Sequence, residues 1–240
     1  MAFAGRTVLV VVPARGGSKG VPLKNLRPVL GRSLVSHAAE VARRLACCDR
    51  AVVSTDHPDI ARAAAEAGLE VPFLRPAELS GDRVGDLEVL AHALTTVEAS
   101  AGRNYDVVVM LQPTAPLRRV AQVEETIRVL VEGDWDAVWT VSPTDLKFHP
   151  LKQLRVGQDG ALSYYDPAGG RVIARQQLEP LYHRNGIAYA LTRDCLLSQK
   201  TIMGQRSAAL VVTEPTVNID TVEDFARAEE ILSARRKAGE

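Results

Sequence analysis

Four short stretches of the chain are apolar without a break and rich in β-branched residues: Val8 to Val12, Ala51 to Val53, Val107 to Leu111 and Ala137 to Val141. Runs of this kind suit strands buried on both faces. Between them apolar positions recur at helical spacing, which predicts amphipathic helices from Leu34 to Leu45, Ile60 to Ala67, Leu87 to Glu98 and Val123 to Val131. Strands alternating with helices imply a mostly parallel sheet with helices on both sides, an α/β fold. The rhythm stops at Pro143. From there to about Pro180 the one clear local signal is Asp159-Gly160, a hairpin turn between short strands. The α/β pattern resumes with strands from Gly186 to Leu191 and Ala208 to Val212, and an amphipathic helix from Thr221 to Arg236 closes it. With no linker or repeat, residues 1–240 read as one domain carrying residues 143–180 as an inserted β-arm. Phe148, Tyr164 and Tyr165 of the arm fall on strands too short to bury an apolar face alone, so a second copy is expected to cover them.

Composition excludes several functions. Of 240 residues 46% are hydrophobic, enough for one substantial core. Lys and Arg number 29, as do Asp and Glu, so the net positive field of a nucleic-acid binder is missing. The first apolar run ends at Pro13, too short to span a membrane, and no small-residue cleavage site follows it. A cytoplasmic protein with neither nucleic acid nor membrane as partner is expected. Cys47 and Cys48 are adjacent and Cys195 is distant, a pattern of packing residues rather than of disulfides or metal ligands.

Candidate chemistry concentrates in Pro13-Ala14-Arg15-Gly16-Gly17-Ser18-Lys19-Gly20-Val21-Pro22-Leu23-Lys24-Asn25. Ligands of open α/β sheets bind beyond the carboxyl ends of the strands, so a glycine-rich loop after the first strand is well placed. Gly16, Gly17 and Gly20 let the backbone turn its N–H groups toward an anion, and Arg15, Lys19 and Lys24 are spaced to surround it. Neither the P-loop spacing nor the Gly-x-Gly-x-x-Gly fingerprint is present, which removes the main support for kinase and dehydrogenase readings. A solvated basic turn is the plain alternative.

The segment resembles the signature of the acylneuraminate cytidylyltransferases, which transfer CMP from CTP to an acidic acceptor and release pyrophosphate. Further stretches match in the family's order: Ser54-Thr55-Asp56, Leu74-Arg75-Pro76, Leu111-Gln112-Pro113-Thr114-Ala115-Pro116-Leu117-Arg118, His149-Pro150-Leu151-Lys152, Arg175-Gln176-Gln177, Asn185-Gly186 and Ile219-Asp220-Thr221. The resemblance implies a Rossmann-like nucleotidyltransferase fold, Mg²⁺ dependence and a homodimer in which the arm reaches toward the partner's site. It makes Arg15, Lys19, Lys24 and Asp220 the catalytic set. The implied CTP contacts are Pro13, Ala14, Arg15, Gly16, Gly17, Ser18, Lys24, Asn25, Arg75, Asp82 and Gln112, with the Pro13-Ala14 backbone and Arg75 at the cytosine edge. Asp220 with Asn218 would hold the metal; read from the residues alone, Asp220 also fits an N-cap of the last helix, with Thr221 and Glu223 behind it, and the metal reading is favoured. The implied acceptor contacts are Gln112, Lys152, Arg175, His183, Arg184, Asn185 and Tyr189. Cations suit an acidic acceptor, although Lys152 and Arg175 also read as solvated arm charges, Arg75 as a surface arginine and Tyr189 as strand packing.

The chain departs from sialic acid members in three places. Asn218 stands where they have a second aspartate, His183 and Arg184 where they have an arginine and a proline, and Thr201-Ile202-Met203-Gly204 where they have an aromatic wall. Less wall and more local cation suggest a smaller or more charged acceptor, so a small phosphonate acid such as phosphonoformate stands beside a sialic acid-like 2-keto sugar acid. A phosphonate presents an oxygen that is already anionic and needs no general base. His149 and His183 also read as polar scaffold. Two alternatives remain open: a nucleotidyltransferase using another triphosphate, and a non-catalytic CTP-binding regulator, against which the joint presence of Arg15, Lys24 and Asp220 argues.

Overall fold

In the computed structural model, which describes residues 5–239, all four apolar runs become strands of one sheet. In chain order the elements are β1 (Val8–Pro13), a small antiparallel ribbon of β2 (Pro28–Val29) and β3 (Arg32–Ser33), α1 (Leu34–Arg44), β4 (Arg50–Ser54), α2 (Pro58–Glu66), α3 (Asp86–Ala101), β5 (Val107–Met110), α4 (Val120–Glu132), β6 (Ala137–Pro143), β7 (Leu154–Val156), β8 (Leu162–Tyr164), β9 (Tyr182–Thr192), α5 (Arg193–Leu197), β10 (Ser207–Val211) and α6 (Val222–Lys237). The large sheet has the order β10-β6-β9-β5-β1-β4. Its pairs are parallel except that β9 runs antiparallel to both neighbours. Strand direction is invisible in an apolar run, because a central strand is buried on both faces whichever way it points.

β1 shows how the layers form. Val8, Val10 and Val12 enter a core shared with Val35 and Ala38 of α1 and Ile127 of α4, while Leu9 and Val11 enter the opposite one with Leu90, Leu94 and Val97 of α3. Each such side chain removed from water contributes roughly 1.5–3 kcal/mol. A smaller cluster of Val29, Leu34, Leu117, Val217, Ile219 and Ala228 anchors α6 and the segment leading into it. Cys48 and Cys195 have thiols pushed by burial up to about 12, which suits packing and not nucleophilic chemistry. No helix among the described residues is long and apolar enough to cross a membrane.

The chain leaves the sheet after Pro143 and rejoins it at Tyr182, where the Thr144 N–H donates to the Leu181 carbonyl at 2.8 Å. Within this excursion β7 and β8 pair antiparallel around a turn closed by the Gly157 N–H on the Ala161 carbonyl, 2.8 Å, with Gly160 at φ +80°. All residues of both strands are exposed.

Candidate active site

β1, β4 and β5 are parallel neighbours, and the loops at their carboxyl ends open onto one cleft of about 590 Å³. Pro13, Arg15, Ser18, Lys19, Lys24, Asn25, Arg75, Asp82, Gln112, Asn218 and Asp220 all line it. Side chains spread over two hundred positions thus meet in one place, as expected for ligands at the carboxyl edge of an open sheet.

The loop after β1 is held by its own chemistry. Its Ala14 N–H donates to the Ser54 carbonyl at 2.9 Å, and the Asn25 amide donates to the Arg15 carbonyl at 3.0 Å. Leu23 takes a left-handed φ of 48°, turning the chain into a short 3₁₀ turn over Lys24–Leu26. The glycines differ from the expected anion nest. The Gly16 N–H is already taken by Asp56 Oδ1 at 2.8 Å, and a Cβ there would lie 2.9 Å from the His57 ring. At Gly20 a Cβ would meet the Asp220 carbonyl oxygen at 2.7 Å. Two of the three glycines therefore serve close approach of chain segments, and only Gly17 is exposed with open space about it. Ala14, Gly16 and Gly17 do not line the cleft.

The cations are paired across the loop. Arg15 lies 3.0 Å and Lys19 2.6 Å from carboxylate oxygens of Asp82, which hold that carboxyl below its ordinary range, the Lys19 hydrogen bond most of all. Lys24 Nζ donates to the Ile219 carbonyl at 2.6 Å and to Asp220 Oδ1 at 2.9 Å. Arg75 is buried, not a surface arginine: its Nε donates to Ser54 Oγ at 3.0 Å and its guanidinium also bonds the Ser54 carbonyl. Its guanidinium is lowered by that burial.

Asp220 is not the cap of α6. Asp224 Oδ2 accepts the N–H groups of Asp220 and Thr221 at 2.9 and 2.8 Å, so the Asp220 carboxylate is left for the cleft. Val217 and Ile219 are buried while Asn218 and Asp220 are exposed, an alternation that turns the latter pair toward the same side. Among the described residues no three His, Cys, Asp or Glu side chains gather as a metal cage. One carboxylate and one amide oxygen nonetheless suit Mg²⁺, which typically combines one or two carboxylates with substrate phosphates and water.

The acceptor candidates are dispersed. Gln112 lines the cleft, and a Cβ on Gly186 would lie 2.8 Å from its Oε1. The buried Asn185 amide is used internally: its Oδ1 accepts from Thr140 Oγ1 at 2.7 Å and its Nδ2 donates to Ser142 Oγ at 3.1 Å. Tyr189 is buried with its ring 5.1 Å from that of Trp139, and its hydroxyl accepts the Gly186 N–H at 3.1 Å. His183 and Arg184 do not form one grip. Consecutive strand residues face opposite sides; Arg184 lies 5.5 Å over the Trp139 ring, while His183 Nδ1 sits 3.1 Å from Thr144 Oγ1 on the other face. Lys152 and Arg175 are exposed on the arm and do not line the cleft.

Sequence reasoning missed Asp86, a cleft residue opening α3 whose carboxyl is raised by burial although the charges of Arg184 and Arg75 pull it down. An acid directly after Gly85, four residues beyond Asp82, was the available signal.

The chain matches the family model described as "Cytidylyltransferase" over residues 9–237. A relative named CMP-N,N'-diacetyllegionaminic acid synthase, from Legionella pneumophila, is 31% identical over 96% of this chain and 98% of its own. A pseudaminic acid cytidylyltransferase of Campylobacter jejuni is 27% identical over 90% of this chain and 92% of its own. In fold the chain is similar to a CMP:2-keto-3-deoxy-manno-octonic acid synthetase solved with CTP, at TM-score 0.70 and 19% identity over 95% of this chain and 99% of that one. It is also similar to the 4-diphosphocytidyl-2C-methyl-D-erythritol synthase of Anaerococcus prevotii, at TM-score 0.65 and 13% identity over 96% of this chain and 98% of that one. An α/β nucleotidyltransferase fold carrying this match over nearly its whole length makes the chain a member of the cytidylyltransferase family, a CTP-dependent enzyme.

Proposed function

We propose that this cytidylyltransferase transfers CMP from CTP to a sialic acid-like 2-keto sugar acid. The observation that carries the reading is the cleft itself, where Arg15, Lys19 and Lys24 gather with Asp82 and Asp220 at the carboxyl edge of the sheet. Its relatives are named for legionaminic and pseudaminic acids, and an N-acylneuraminate cytidylyltransferase of Streptococcus agalactiae is 29% identical over 90% of this chain and 51% of its own.

In the reaction a hydroxyl oxygen of the acid attacks the α-phosphorus of CTP. The bond from the α-phosphorus to the oxygen bridging the α- and β-phosphates breaks with its electron pair on that oxygen, pyrophosphate leaves, and the hydroxyl proton passes to water. Arg15, Lys19 and Lys24 neutralise charge that grows on the leaving pyrophosphate. Arg75, fixed by Ser54, and the Pro13-Ala14 backbone read the base; a donor and an acceptor set for cytosine reject uracil by leaving one contact unpaired. Asp220 and Asn218 would hold Mg²⁺, which supplies further neutralisation of the triphosphate. Gln112 and Arg184 face the acceptor. The arm residues Lys152 and Arg175 complete the acceptor contacts in a homodimer, for which the support is the uncovered apolar surface of the arm: Phe148 is 61% and Ile173 93% exposed.

The test is pyrophosphate release with each of the four ribonucleoside triphosphates against N,N'-diacetyllegionaminate, pseudaminate, N-acetylneuraminate and phosphonoformate. Release with CTP and one of the sugar acids is expected. Turnover of phosphonoformate alone would move the acceptor to the phosphonates, and CTP binding without any turnover would make the chain a regulator.

A further inference from the structure

Arg118 closes the Leu111-to-Arg118 motif, yet its side chain lies behind the cleft and not in it. Its Nη2 donates to the Gln112 carbonyl at 2.6 Å and the Gly186 carbonyl at 2.9 Å, and its Nε donates to the Ile187 carbonyl. The acceptors belong to two segments, the loop leaving β5 and the middle of β9. Among the described residues no carboxylate pairs with this guanidinium, which burial pushes down to about 9. A cation buried without a counter-charge is a costly way to fill a core, so something other than packing has to explain it.

The backbone supplies the explanation. β6 and β9 fall out of register here: Trp139 pairs with Tyr189, but Val141 pairs with Arg184, so four residues of β9 bulge against Thr140. Met110 with Tyr189 is the last pair on the other side, which leaves Gly186 and Ile187 beyond the end of β5. Bulged carbonyls need donors from elsewhere, and Arg118 provides them. At the same bulge Gly186 takes φ +73° and packs against the Gln112 side chain.

We infer that Arg118 is a positioning residue, whose planar fork ties the Gln112 loop to the β9 bulge and so sets the spacing between Gln112, which lines the cleft, and Arg184 at the edge of that bulge, the two proposed acceptor contacts. A guanidinium suits the task because its donors are rigidly splayed, whereas an ammonium is a single point. The inference rests on the acceptor-side reading of Gln112 and Arg184 given above.

Arg118→Met, which keeps an unbranched apolar stem but removes the charge and the donors, and Arg118→Lys test it. CTP affinity by calorimetry is expected to stay within about twofold, while kcat/KM for the sugar acid falls about a hundredfold in Arg118→Met, the scale of a misplacement near 1 Å, and less in Arg118→Lys. Hydrogen–deuterium exchange should quicken together in peptides covering residues 111–118 and 182–190, and not in residues 8–26. Quickening in neither segment or in one alone would overturn the tie; quickening with unaltered acceptor kinetics would reduce Arg118 to a structural residue. If Arg118→Met does not fold, Tyr189→Phe, which removes the hydroxyl holding the Gly186 N–H, must shift acceptor kinetics in the same direction by a smaller factor, and no shift overturns the inference. Should the wild type turn over none of the three sugar acids, the acceptor proposal fails, and the exchange of the two segments still decides the role of Arg118.

Discussion

On the side of the cleft proposed for the nucleotide, each lining cation already has a partner in the same chain: Arg15 and Lys19 share Asp82, Lys24 has Asp220, and Arg75 is fixed on Ser54. On the arm, Lys152 and Arg175 stand exposed, as do apolar side chains that nothing among the described residues covers. A triphosphate has the same shape and charge for every enzyme that uses it, so in the proposed site one chain can hold the binding cations ready, paired with Asp82 and Asp220. An acceptor that varies among relatives calls for a surface that can vary too, and in the proposed dimer that surface is assembled from two copies.

The largest effect that could break this contrast comes from the paired cations. Arg15→Ala or Lys24→Ala should lower turnover by roughly a hundredfold or more with the fold intact, since each is proposed to stabilise charge that grows in the transition state. Near-normal pyrophosphate release from either variant would remove the site from this cleft. Next in size is Asp220→Ala. It should abolish Mg²⁺-dependent turnover while unfolding stability stays within about 0.5 kcal/mol, because its carboxylate is exposed and caps nothing. A large loss of stability with activity retained would make it structural after all.

The arm sharpens the comparison from the other side. Ile173→Asp should shift the sedimentation of the protein from dimer to monomer and weaken acceptor turnover, with CTP affinity unchanged. A wild type that sediments as a fully active monomer at micromolar concentration would end the shared-site model.

The smallest expected effect is a pH dependence. His37 donates from Nε2 to the Val29 carbonyl at 2.9 Å behind the nucleotide loop, and burial lowers its pKa from 6.5. The unfolded chain therefore takes up the proton first. The stabilisation is fully present above 6.5 and is lost as pH falls through the lower folded value. Urea midpoints taken at about pH 7.5 and about pH 5 should differ more for the wild type than for His37→Gln, and equal differences would dismiss the effect.

Much of the architecture was legible because apolar runs and helical periodicity are local. The predicted helix from Leu34 to Leu45 is observed over Leu34–Arg44, and the predicted strand from Ala208 to Val212 over Ser207–Val211. The direction of β9 and the bulge at Gly186 were not, since both depend on pairing partners remote in sequence. The site shows the same division. Glycines and cations after β1 point to an anion from their types alone, but the Gly16 N–H is spent on Asp56 and the Asp220 carboxylate is spared by Asp224, and neither fact follows from spacing. His183 and Arg184 look like a pair in the sequence and are separated by the pleat of the strand.

The position of β9 has a consequence for how the protein is made. It lies inside the sheet, between β5 and β6, but it is the last strand but one to be synthesised. The two neighbours of β6 are β9 and β10, so a nascent chain that has emerged only as far as the arm holds β6 with no mate and β5 with one bare edge. Unpaired apolar edges of this kind invite wrong pairing with other chains. Closure of the sheet therefore waits on residues 182–192, which places the vulnerable interval of biogenesis after the glycine-rich loop that follows β1 has been made and before its sheet is complete.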